Sequence, residues 1–159
     1  MVVVSGRVAL SIALLVGLGA CRGARSPIAP PPTHAPEIMR IATAKGAVEL
    51  HVELAVTADE QQRGLMGRTS LAPASGMAFL FGAPTTVAFW MKDTIIPLSI
   101  AFWDEGSRIV AIEEMTPCTQ DPCQTYGPNV PYRGAVEANA GFFASHGVRV
   151  GDTIGWGAG

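Results

Sequence analysis

The segment Phe89-Trp90-Met91-Lys92-Asp93-Thr94 gathers the densest set of groups in the chain that could bind or react. Read as a strand, Val87, Phe89 and Met91 fall on one face while Ala88, Trp90 and Lys92 fall on the other. The first face is ordinary core. The second sets an indole beside an ammonium group, a pairing suited to stacking on a sugar or holding an anion. Two readings stand: a ligand platform, or a half-buried Trp90 covered by the methylene stem of Lys92, whose charge snorkels into water. An ion pair between Glu137 and either Lys92 or Arg63 is the structural alternative to a ligand site there. Catalysis needs a nucleophile or an acid–base pair. The chain offers Lys92, Asp93 and Glu137, but no Gly-x-Ser-x-Gly turn and no carboxylates at a telling spacing. No catalytic residue is assigned, and whether the protein is an enzyme stays open.

Sulfur chemistry is the second resource. Cys118 and Cys123 are spaced Cys-x-x-x-x-Cys, unlike a redox Cys-x-x-Cys, and no nearby histidine completes a zinc set. A disulfide is the expectation, with a redox pair or metal site as rivals. Met66, Met77, Met91 and Met115 could present thioethers to copper(I), yet they lack the close spacing of a methionine-rich tract and suit flexible core filling. Neither a metal nor a cofactor is expected.

The third cysteine is an address. Cys21 follows Leu18-Gly19-Ala20, behind an apolar run from Val8 to Leu18 and the single basic residue Arg7. That layout is a secretory signal, and the cysteine directly after small residues resembles the lipobox of bacterial lipoproteins, where the thiol is acylated. A plain secretory signal with a fortuitous cysteine is the rival reading. The run is too short and too glycine-broken for a membrane span, which needs ~20 apolar residues. Residues 1–20 are therefore expected to be a signal peptide. Residues 21–36 are expected to be an acylated cysteine and an extended tether, with five prolines between Arg22 and Pro36. Residues 37–159 form one domain. The location implied is the cell envelope, on the periplasmic side of the inner or outer membrane or at the cell surface, with the membrane met through lipid on Cys21.

Composition agrees with a folded domain. Hydrophobic residues make up 48% and charged residues 15%, which excludes disorder. Losing Arg7 with the signal takes the formal net charge from −2 to −3, and no basic stripe suits nucleic acid. Val48, Leu50, Val52 and Leu54 alternate with Glu49, His51 and Glu53, a half-buried strand that Lys45-Gly46 turns back onto Ile38–Thr43. Thr57-Ala58-Asp59-Glu60 is a capping box, opening a helix from Gln61 to about Gly67 with Leu65 and Met66 buried. Strands are expected at Met77–Phe81, Thr86–Lys92, Leu98–Trp103 and Arg108–Met115, punctuated by Gly76, Gly82, Pro84, Pro97 and Gly106. A short helix over Asn139–Ser145 and a closing strand over Val148–Ile154 complete the chain. Strands at such short intervals, with few helices, indicate a mainly β sandwich or barrel.

The run Arg63-Gly64-Leu65-Met66-x-Arg68, then Gly76-Met77-x-Phe79-x-Phe81, Trp90-Met91-Lys92-Asp93-Thr94, Pro97-Leu98, Glu137 and Gly151-Asp152, resembles the bacterial and archaeal domain-of-unknown-function family 192. The resemblance spans about Thr43 to Ile154. It implies a β-rich, jelly-roll-like fold and no established reaction. Its recurring polar positions match Arg63, Arg68, Lys92, Thr94 and Glu137. Asp93 stands where the family usually shows asparagine, and Ser99 where an aspartate usually follows Pro-Leu.

These observations point first to a non-catalytic module that binds a small polar or anionic ligand, or an envelope glycan, over Arg63, Arg68, Trp90, Lys92, Thr94 and Glu137. An enzyme acting on envelope material is one alternative, and a structural or protein-binding accessory another. No protein partner is identified.

Overall fold

The computed structural model describes residues 34–157. The signal-like segment, Cys21 and the tether up to residue 33 lie outside the described residues. Among the described residues the fold is mainly β: nine strands and two short helices, with seven strands curled into a half-barrel. Strands β1 (Glu37–Thr43) and β2 (Gly46–Ala55) form the expected hairpin, with Thr43 paired to Gly46. Gly46 sits at φ 125°, a conformation open to glycine, which is why the turn falls there. After β2 comes helix α1 (Ala58–Arg63), shorter than expected because the chain turns out of helix at Gly64, φ 46°. The capping box is present in both directions: Thr57 accepts from the Glu60 amide, and the Glu60 carboxylate accepts from the Thr57 amide. Leu65 is buried as expected, whereas Met66 is only half-buried.

Strand β3 (Ser75–Thr85) then pairs parallel to β2, with α1 in the crossover. The remaining ladders are antiparallel. Strands β5 (Leu98–Trp103), β6 (Ile109–Met115), β8 (Tyr132–Asn139) and β9 (Thr153–Trp156) complete a sheet ordered β6-β5-β8-β3-β2-β1-β9. Strands β4 (Phe89–Trp90) and β7 (Thr125–Tyr126) make a separate two-stranded ribbon. Helix α2 (Phe142–Ser145) ends before Gly147 at φ 72°.

The central strands are covered on both faces. Every residue of β5 is buried, which explains its unbroken apolar run. On one face, Met39, Ile41, Leu50, Val52, Val136 and Ile154 pack with Phe142 and Phe143 of α2. On the other, Leu65, Phe79, Ile100, Phe102, Tyr132 and Met91 pack beneath α1 and the small ribbon. Two glycines allow the close approach. A Cβ on Gly76 would lie 2.3 Å from the Glu137 carbonyl oxygen, and one on Gly134 would lie 2.2 Å from the Trp103 ring.

Two local expectations are corrected. The strand expected over Thr86–Lys92 is reduced to Phe89–Trp90, because these two residues pair with Tyr126 and Thr125 and the chain turns at once beyond them. Val87 is consequently exposed rather than on the core face, while Phe89 is partly buried and Met91 is buried. The closing strand is displaced to Thr153–Trp156, since Val148–Asp152 is spent in turns that hydrogen-bond to Ile109.

Candidate functional site

A hollow of about 360 Å³ opens on the second face of the sheet, between the end of α1 and the ribbon. Its walls are mostly apolar, formed by Leu65, Phe79, Phe81, Phe89 and the half-exposed Trp90. The rings are mutually fixed: Phe89 meets Phe79 edge-on at 4.9 Å and Phe102 at 5.6 Å. Helix α1 is pinned above by Gln61, whose side-chain amide donates to the Leu80 carbonyl at 2.8 Å.

Glu137 reaches this hollow from the middle of β8. Its register partners Met77 and Ile100 lie on the same face, so the strand pleat directs it beneath α1. It is 5% exposed, and among the described residues its side chain has neither a hydrogen-bond nor an ion-pair partner. Gly64 approaches it closely: a Cβ there would lie 3.3 Å from the Phe79 ring and 4.0 Å from Glu137 Oε2. Burial raises the Glu137 carboxyl to about 8, so it is mostly protonated at neutral pH and able both to donate and to accept. Arg63 lines the same hollow from the last turn of α1, and its side chain likewise has no hydrogen-bond or ion-pair partner among the described residues. The ion pair between Glu137 and either Arg63 or Lys92 is not formed.

Of the expected site residues, Arg63, Trp90, Thr94 and Glu137 therefore share one hollow. Lys92 and Arg68 do not line it. Beyond Trp90 the chain turns, and Lys92 lies in a separate depression, donating to both Asp121 oxygens at 2.7 and 2.9 Å. That pairing raises the Lys92 ammonium above its ordinary value. Arg68 donates to Glu53 at 2.5 Å. The loop carrying Trp90 to Thr94 is held on two sides: the Gly67 amide donates to the Asp93 carbonyl at 2.9 Å, and the Cys118 amide to the Met91 carbonyl at 3.4 Å. From sequence, Phe79 and Phe81 are motif residues and Phe89 a core residue, whereas in the structure all three are walls of the hollow. The period-two spacing of Met77, Phe79 and Phe81 on β3, with Met77 paired to Glu137, is the available signal for two of them.

Both departures from the family pattern have local explanations. Asp93 adopts φ 55°, in the left-handed region that asparagine and aspartate tolerate best, so either residue serves the turn. Ser99 is fully buried and donates its hydroxyl to the Glu114 carboxylate at 2.7 Å while accepting from the Gly141 amide at 2.8 Å. Position 99 is thus a strut between β5, β6 and the entry to α2, on the face away from the hollow.

Cys118 and Cys123 form the expected disulfide. Asp121 lies close to both sulfurs, but the sulfurs are consumed by each other and Asp121 by Lys92. Met77, Met91 and Met115 are buried in the core, as befits filler. No helix among the described residues is long and apolar enough to cross a membrane.

Among curated proteins, none matches the chain significantly. Solved crystal structures similar to it include these two. One is a candidate transcription regulator from Sinorhizobium meliloti, 35% identical at TM-score 0.70, with the match covering 77% of this chain and 94% of that one. The other is a protein of unknown function from Novosphingobium aromaticivorans, 31% identical at TM-score 0.73, covering 84% and 94%. The profile of domain-of-unknown-function family 192, described as "Uncharacterized ACR", matches residues 40–156. With nearly the whole described domain matched, the chain belongs to that family.

Proposed function

We propose that this protein is a small-molecule-binding module of the cell envelope, tethered to a membrane by lipid on Cys21. The observation that carries the binding reading is Glu137: a buried carboxyl without a partner, facing a mostly apolar hollow. Buried polar groups are otherwise almost always satisfied, and an apolar pocket with a few convergent polar groups is the usual form of a ligand site. A volume of about 360 Å³ suits a small molecule better than an extended glycan. Trp90, half-exposed at the mouth, would cover whatever enters.

Binding is favoured over catalysis because the walls hold only two ionisable groups, Arg63 and Glu137. Arginine stays charged at any working pH, so Glu137 has no second proton-transfer group beside it. The regulator description of one solved relative is not carried across. Arg40, Arg68 and Lys92 are engaged with Glu49, Glu53 and Asp121, whereas binding the DNA backbone needs clustered free cations.

The test is amide chemical-shift mapping of the full-length protein with separate panels of small amines, carboxylates, zwitterions, sugars and aromatic amides. Shifts clustering at Gly64, Thr94 and Glu137 support the reading. A domain whose hollow responds to none of these classes refutes it.

A further inference from the structure

The two ionisable side chains of the hollow are of opposite sign, and they are not paired with each other. Arg63 projects from the end of α1 and Glu137 from the middle of β8. With no ion pair between them, the two groups stand apart within one cavity. The same hollow is lined by the rings of Phe79, Phe81 and Phe89 and by the half-exposed Trp90 indole. Aromatic faces beside a carboxylate form the recurring environment for an ammonium or quaternary ammonium group. A guanidinium with free donors is the matching environment for a carboxylate or phosphate.

From this arrangement, and resting on the small-molecule reading above, we infer that the hollow takes a small zwitterion. Its ammonium group enters among the rings against Glu137, and its anionic group meets Arg63. A purely anionic ligand, the expectation from Trp90 and Lys92 alone, leaves the Glu137 carboxyl unmatched. A pure cation leaves Arg63 unmatched. A zwitterion answers both.

The inference makes binding proton-linked. Glu137 is mostly protonated in the empty protein at pH 7 and must ionise to face an ammonium group. Each zwitterion bound at pH 7 therefore releases about one proton, and affinity tightens roughly tenfold from pH 6 to pH 7 and about fivefold from pH 7 to pH 8 before levelling.

The experiment is calorimetric titration of the full-length protein with four probes of one shape. Glycine betaine is the zwitterion, choline the cation, 3,3-dimethylbutanoate the carbon isostere of betaine lacking the positive charge, and 3,3-dimethylbutanol the neutral isostere of choline. The expected result is betaine binding at least tenfold more tightly than each of the other three, with proton release in buffers of differing ionisation heat and loss of the pH dependence in Glu137→Gln. Choline binding as tightly as betaine overturns the zwitterion assignment. Isosteres binding as tightly as betaine overturn it as well, while leaving a ligand site in place. If none of the four binds but other small molecules shift Gly64, Thr94 and Glu137, the zwitterion is wrong and the site stands. If nothing perturbs those residues, both fall.

Discussion

Replacing Glu137 by glutamine should stabilise the protein at neutral and alkaline pH, and by an amount that grows with pH. The carboxyl is raised from 4.5 to about 8 by burial. Below pH 4.5 it is protonated in the folded and unfolded chains alike and has no linked effect. As pH rises beyond that, the unfolded chain gives up its proton while the folded chain keeps it, so stability falls until pH passes about 8 and then levels. Each pH unit in that window is worth about 1.4 kcal/mol. The accumulated penalty is about 1 kcal/mol at pH 5, about 3 at pH 7 and about 5 above pH 8. Glutamine has nearly the same shape and does not titrate, so the penalty vanishes in the variant. The assay is urea unfolding of both proteins at pH 5, 6, 7, 8 and 9, followed by tryptophan fluorescence. Every other titrating group is common to the two chains and cancels in the difference. The Glu137→Gln protein should gain on the parent by roughly 4 kcal/mol between pH 5 and pH 9. A difference that stays constant across that range refutes the claim that Glu137 is held without a partner.

Gly76→Ala should destabilise by about 3 kcal/mol or more in urea unfolding, because its Cβ would lie 2.3 Å from the Glu137 carbonyl oxygen, a backbone atom that cannot move without breaking the β3–β8 ladder. Asp93→Asn should leave stability unchanged, while Asp93→Val should cost about 1–2 kcal/mol by thermal unfolding, since the residue sits at φ 55°. Lys92→Met should give an unfolding curve overlaying that of the parent, because its partner Asp121 is 69% exposed and the pair lies in water. Changing Cys118 and Cys123 together to alanine should cost about 2 kcal/mol against the oxidised parent, the chain-entropy value for so short a loop.

Where local chemistry decides the structure, the structure is legible in the sequence. The β1–β2 hairpin follows from alternation broken by Lys45-Gly46, and the start of α1 from the reciprocal hydrogen bonds of Thr57 and Glu60. Strand β5 was legible at both ends, since Pro97 precedes a run of six buried residues. The stretch before Trp90 was not legible in the same way. Period-two reasoning assumes a continuing ladder, but β4 has a ladder of only two residue pairs, so Val87 turns outward. Lys92 was assigned to the site through its spacing from Trp90. Its actual partner, Asp121, is 29 residues away within the disulfide loop, a contact that no local pattern encodes. Glu137 was recognised as a candidate, yet its lack of a partner depends on α1 ending at Gly64 directly above it.

That last placement bears on why the residue is there at all. A carboxyl in the middle of a strand buried on both faces is a poor choice for stability, and a domain of this size has only about 5–15 kcal/mol in hand. A structural role would have supplied it with a partner. Arg63 lines the same hollow and is not turned onto it, and Thr94 donates instead to the Lys92 carbonyl. Around it the chain uses glycine twice: Gly64 lies bare against Phe79 and Glu137, and Gly76 lies beneath the Glu137 backbone. One lets α1 come down over the carboxyl, and the other lets β3 and β8 close behind it. The same geometry that costs stability keeps the Arg63 guanidinium and the Glu137 carboxyl available to the cavity, as expected of a site held at some expense to the fold. A cation bound at Glu137 would remove the penalty by supplying the missing partner. Ligand-linked stabilisation should therefore be larger at pH 8 than at pH 6, in the direction opposite to the pH dependence of the empty protein.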